Sequence, residues 1–147
     1  MLNPLEAYPR RVGRSATLIS VTTDAGAINT TGDAVAIPEW GIAIGVFLDV
    51  TAAATDAADT LDVTVQTLVG STWLDAHHFT QVLGNGGAKQ FFAKLNLTKN
   101  LTEYAVSSAL SAGSSRDFGG DAWRVKYVQV DADNDASFTF SVTTISM

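Results

Sequence analysis

The sequence has no cysteine, three prolines, two histidines and only 16% charged residues. Without cysteine there are no disulfides and no thiolate zinc sites, so the fold rests on its core or on oligomerisation. No apolar run approaches the roughly 20 residues of a membrane-spanning helix. The opening MLNPLEAYPRRVGR has no apolar stretch of the kind a secretory signal needs, so none is expected. Neither a P-loop nor a GxGxxG motif occurs, which removes support for phosphate-cradle chemistry. GxSxG is also missing, and no serine stands out as an elbow nucleophile. A net charge of −6 with a pI near 4.6 argues against nucleic-acid binding, which calls for a basic face. So low a charge content implies that an unusual share of the surface is covered, as by a partner.

What is present is β-structure. A length of 147 residues with 46% hydrophobic content suits one domain with a sizeable core. Leu61, Val63 and Val65 alternate with Asp62, Thr64 and Gln66, the period of a half-buried strand. Val69-Gly70-Ser71 breaks the run, and Trp73 to Thr80 returns as its hairpin partner. Gly41 to Thr51 reads as a central strand covered on both faces, with Ile42, Ile44, Val46, Leu48 and Val50 on one side. Ser15 to Thr23 and Lys89 to Leu97 read as further strands, and Ala27 to Ile37 as a weaker one. Asn100 to Gly113 reads as irregular or strand. Trp123 to Val130 and Ser137 to Ile145 alternate in register and read as a closing hairpin around Asp131 to Ala136. Arg124 and Lys126 on its outer face would protect a sheet edge. About eight short strands separated by turn signals point to an all-β, single-domain antiparallel sandwich or jelly-roll-like barrel over residues 15–147. The expected core is Ile42, Ile44, Val46, Leu48, Leu61, Val63, Val65, Val125, Phe138 and Phe140.

Residues 1–14 stand apart. Pro4 and Pro9 interrupt them, and Arg10, Arg11 and Arg14 face only Glu6, a basic segment on an acidic chain. They read as an extended N-terminal arm. One reading is a frayed end. The other is an arm that orders on a partner, with Leu2, Leu5 and Tyr8 as anchors and the arginines pairing with acidic groups.

Candidate chemistry is sparse. His77 and His78 form the histidine site, with Asp75 two residues before His77 and on the same strand face by alternation. They read as an interface or surface pair. A metal site is open to them only if subunits meet around an axis. Asp131, Asp133 and Asp135 crowd one turn, and Asp56, Asp59 and Asp62 form a second acidic group. Hard oxygen ligands suit calcium, but the EF-hand pattern is not met, and Asp and Asn also favour plain solvated turns. No metal ligand and no cofactor is assigned. Trp40, Trp73 and Trp123 could form a sugar platform, though packing is the commoner use of such rings.

The segments Leu61-Asp62-Val63-Thr64-Val65-Gln66, Gly70-x-Thr72-Trp73-x-Asp75 and Phe79-Thr80-Gln81 resemble small structural proteins of tailed bacteriophages, the head decoration or cement proteins. Trp123-Arg124-Val125-Lys126-Tyr127 and Ser137-Phe138-Thr139-Phe140-Ser141-Val142 add to the likeness, which covers residues 42–147. The chain departs from that family in its longer acidic DADNDA turn, and the arm lies outside the match. The resemblance implies a sandwich or jelly-roll subunit, a homotrimer, bound to the major capsid protein on the outer capsid surface. It implies a non-enzymatic role, with no nucleic acid and no membrane as partner. Alternatives are a carbohydrate-binding or host-adhesion module, or a tail or neck component of the same virion.

Overall fold

The computed structural model describes residues 14–37, 42–97, 103 and 105–147. The alternating segments become strands: β1 (Ser15–Thr22), β2 (Ile28–Thr31), β3 (Ala43–Ala52), β4 (Thr60–Val69), β5 (Thr72–His78), β6 (Val82–Leu83), β7 (Lys89–Asn96), β8 (Ser114–Ser115), β9 (Trp123–Val130) and β10 (Thr139–Ser146). The only helical piece among the described residues is a 3-10 turn at Gly84–Gly86. The strands form two antiparallel sheets. One has the order β1-β10-β3-β7, and the other β2-β9-β4-β5-β8 with β6 also paired to β4. The sheets pack face to face as a β-sandwich.

The core follows from the alternation. Ile44, Val46, Leu48 and Val50 on β3, Leu61, Val63 and Val65 on β4, Val125 on β9, and Phe138 with Phe140 are all buried. Phe140 on one sheet meets Tyr127 on the other edge to face, with ring centroids 5.4 Å apart. Such a contact favours the positive ring edge against the negative ring face. Ile42 departs from expectation and is 67% exposed. It lies in a bend ahead of β3, although its carbonyl still accepts from Leu97 N–H at 3.0 Å. Alternation fixes side-chain direction only within a strand, and β3 begins one residue later, at Ala43.

The β4–β5 hairpin forms as read, turning at Gly70 with φ 62°, a backbone conformation that glycine takes without Cβ strain. The closing hairpin does not form. β9 sits between β2 and β4 in one sheet, and β10 between β1 and β3 in the other. The acidic turn therefore crosses between sheets. Both strands alternate because each turns an apolar face toward the same core, a pattern that two facing strands share with two paired ones. It follows that β9 is no edge. Arg124 instead donates from Nε to Gln66 Oε1 at 2.9 Å and lies over the Trp73 ring, 4.3 Å from its centroid.

A buried polar hub closes one end of the sandwich. Gln129, 1% exposed, donates from Nε2 to the carbonyls of Asp24 and Gly26 at 2.9 and 2.8 Å. Its Oε1 accepts from the Thr23 hydroxyl, which in turn accepts from Phe138 N–H. One glutamine thus joins the β1–β2 turn to the entry of β10. At the other end, Ser146 N–H donates to Arg14 O at 2.8 Å. Residues 1–13 of the arm lie outside the described residues, as do Trp40 and part of the 100–113 segment.

Candidate functional site

Three places carry chemistry-bearing side chains. The first is the histidine pair. β5 bulges against β4: Val65 pairs with His77 and Gln66 with Asp75, leaving Ala76 as the extra residue. A bulge of this kind shifts the alternation by one. Asp75 and His77 therefore do not share a face. His77 turns inward and is 5% exposed, its Nδ1 hydrogen-bonded to Ser115 Oγ and its ring edge-on to Phe79 at 4.5 Å. Burial, with the neighbouring His78, lowers its pKa to about 4. A base that weak accepts a serine proton poorly near neutrality.

His78 turns outward, toward Asp75's side of the sheet. Its Nε2 lies 3.2 Å from Asp62 Oδ1 and its Nδ1 2.8 Å from Leu110 O. Asp75 accepts from Gln66 Nε2 and from Leu110 N–H. Arg116, largely buried, donates to the carbonyls of Asp75 and Ser108. These contacts staple the 105–116 segment onto the six-stranded sheet. They leave an open cleft of about 300 Å³ bordered by Asp62, His78 and Lys126. With one ring inward and the other engaged, the two histidines cannot serve as one ligand pair.

The second place is the outer face of the four-stranded sheet near its β7 edge. Phe92 is 53% exposed and pairs across the ladder with Phe47. Its ring lies over Gly45, where an added Cβ would come within 2.7 Å of it, and Met147 closes on the same spot. The absent side chain of Gly45 is what lets the far end of the ring come this close. Ile145 is the cross-strand partner of Gly45 on this face. Exposed Ile42 lies at the same end, where Ala43 N–H donates to Met147 O. Among the described residues β7 has a strand partner on one side only, the position of an edge strand, and at its end Asn96 N–H donates to Asp117 Oδ1 at 3.0 Å.

The third place is acidic. The β3–β4 and β9–β10 connections both cross between the sheets, and they meet at the end of the sandwich away from Arg14. There Asp56, Asp59, Asp133 and Asp135 each bring a carboxylate oxygen within 4.8 Å of the others. Asp131 is not one of the four, and it shapes the turn. Its carboxylate accepts from the N–H groups of Gly26, Asp133, Asn134, Asp135 and Ala136. Burial alone would raise its pKa, but these donors together outweigh it and leave the pKa below the ordinary carboxylate value. Asn134 takes φ 69° within the turn, which asparagine tolerates well.

Asp59 is fully buried. Its Oδ1 accepts from Ala132 N–H at 3.0 Å, while Oδ2 has no hydrogen-bond partner. Its backbone is fixed by Asp59 N–H to Asp56 O and by Gly84 N–H to Asp59 O. Gly84 is required here, since an added Cβ would stand 2.2 Å from Asp56 O. The crowding raises the pKa of two of the four. Asp135, hydrogen-bonded through its side chain to Asp133, is pushed up to about 6, and Asp56 is raised by the same neighbour. Among the described residues no lysine or arginine pairs with these carboxylates, and the one ion-pair contact is His78 with Asp62. Sequence grouping by proximity placed Asp62 with Asp56 and Asp59, but it turns to His78 and Gln81 instead.

Trp123 is buried, with Gly119 against its ring, and Trp73 lies under Arg124. Neither offers an open sugar platform. No protein-family model, curated protein or solved structure matches the chain.

Proposed function

We propose that this chain is a non-enzymatic virion structural protein that decorates and stabilises the outer surface of a phage capsid, acting as a homotrimer on the major capsid protein. The observation that carries the reading is the pair of apolar side chains at the β7 side of the four-stranded sheet, Phe92 and Ile42, which stand more than half exposed at and near an edge strand. Exposed apolar side chains grouped at one side of a sandwich suit an interaction site. The low charge of the chain and the weak basicity of buried His77 accord with an interaction role rather than catalysis. The likeness to decoration proteins supplies the kind of partner. In this reading the arm, with Leu2, Leu5, Tyr8, Arg10, Arg11 and Arg14, leaves the sandwich at the end where Ile42 and Met147 lie and reaches a capsid subunit or a neighbouring copy.

The test is binding to undecorated heads of the parent particle. Phe92→Asp and deletion of residues 1–13 should each weaken attachment at least tenfold while the sandwich keeps its melting temperature. Full-strength attachment by both variants, or a copy number of only a handful per virion, would overturn the reading. The second result would move the protein to the tail or neck.

A further inference from the structure

We infer that Asp56, Asp59, Asp133 and Asp135 form a binding site for one calcium-sized divalent cation that clamps the two sheet-to-sheet connections together. The inference is independent of the capsid role and goes against the sequence reading, which assigned no metal.

Four observations converge. The first is span. Calcium takes oxygen ligands at about 2.3–2.6 Å, so oxygens on opposite sides of one ion lie about 4.6–5.2 Å apart. The four carboxylate oxygens fall within 4.8 Å of one another. Magnesium, at about 2.0–2.1 Å and with strict octahedral demands and a reluctance to shed water, is less suited to an all-carboxylate group of this kind. The second is the state of Asp59. A fully buried carboxylate oxygen with no partner is costly. It lies in a group whose other members are carboxylates, so no neighbouring donor of the group supplies the missing contact. A cation among these oxygens would supply it.

The third observation is charge. Four acidic groups meet without a lysine or arginine partner among the described residues. Mutual repulsion should drive such loops apart unless a cation or shared protons hold them. The fourth is preorganisation. The Asp131 carboxylate gathers five backbone N–H groups of its surroundings, and Gly84 locks the Asp56–Asp59 turn from below. Both ligand-bearing turns are thus held largely by the Asp131 carboxylate and by backbone contacts. Asp59 Oδ1 alone of the four carboxylates is engaged by a backbone donor, Ala132 N–H, which leaves the other ligand oxygens for an ion, as a preorganised site requires. Because one turn joins β3 to β4 and the other β9 to β10, each links the two sheets. A bound ion would tie four strand ends across the sandwich.

The affinity expected of such a carboxylate-rich surface site is on the order of 10⁻⁵ to 10⁻⁴ M. Thermal unfolding of the full chain, stripped with a chelator and then titrated with calcium chloride, tests this, with sodium chloride at matched ionic strength and magnesium chloride as controls. Calcium should raise the melting temperature by several degrees, saturably, with one ion bound by calorimetry and at least a tenfold preference over magnesium. Asp133→Asn and Asp135→Asn, at exposed positions, should fold. In chelator they should melt higher than the parent, because repulsion is relieved. In calcium the order should reverse, with affinity reduced at least tenfold. This inversion separates an ion site from carboxylates that merely share protons. No calcium-specific shift over the sodium control, or an unchanged shift in both variants, would overturn the inference.

Discussion

Phe140→Ala probes the contact between the two sheets most directly. The Phe140 ring is 1% exposed. On its own sheet it is flanked by Val21 on β1 and Val50 on β3, its partners across the two ladders. From the opposite sheet Tyr127 meets it edge to face at 5.4 Å. β10 is an interior strand, so these neighbours are fixed by hydrogen-bonded strands on both sides and cannot collapse into the space left behind. Phe→Ala truncations in cores cost about 3–5 kcal/mol, with the cost rising as the site fails to relax. The lost edge-to-face pair adds about 0.5–1.5 kcal/mol of its own. The upper half of the 3–5 kcal/mol range is therefore expected. For a domain of this size that is on the order of 10–20 °C in melting temperature. Urea denaturation at equilibrium gives the free energy directly, and an unchanged slope would show that the native state stays compact. A cycle with Tyr127→Ala should return a coupling of about 1 kcal/mol. A loss below about 1 kcal/mol for Phe140→Ala would mean that the sheets do not meet at this ring.

Two further outcomes follow from buried polar groups. Gln129→Leu keeps the bulk but strands the Thr23 hydroxyl and the Asp24 and Gly26 carbonyls; urea denaturation should show a loss of about 2–4 kcal/mol, and a loss under about 0.5 would mean that water replaces the amide freely. His77 is held neutral by burial, with a folded pKa of about 4 against 6.5 for the free ring. Between those values the unfolded chain binds the proton and the folded chain does not, so stability falls as pH drops from about 6.5 toward 4 and is unaffected above that window. After allowance for solvent screening the loss by pH 4 is about 2 kcal/mol. Comparing the pH profiles of the parent and His77→Gln isolates it, and superimposable slopes would refute the assignment.

The sequence by itself determined the fold class and most of the core. Period-2 alternation is a local property, and Leu61, Val63, Val65, Phe138 and Phe140 are buried as their spacing requires. The Gly70 turn was equally legible, because a positive φ leaves its mark on residue choice. Tertiary structure decided which strands pair and which merely face each other. β9 and β10 carry the alternation of a hairpin but belong to different sheets, since an apolar stripe records that a core exists and not which side of it the strand lies on. The bulge at Ala76 was also hidden. One extra residue turned His77 inward and left Asp75 on the outer face, and no residue type announces it. Ile42 shows where alternation stops applying, since it lies in a bend one residue ahead of β3 and is exposed. The acidic centre lay furthest from reach. Asp56 and Asp59 were visible as one acidic group and Asp133 and Asp135 as another, each a plain turn when read alone. Only the two crossings between sheets bring them within 4.8 Å, because a site assembled across some 75 residues of chain depends on topology, which local spacing does not encode.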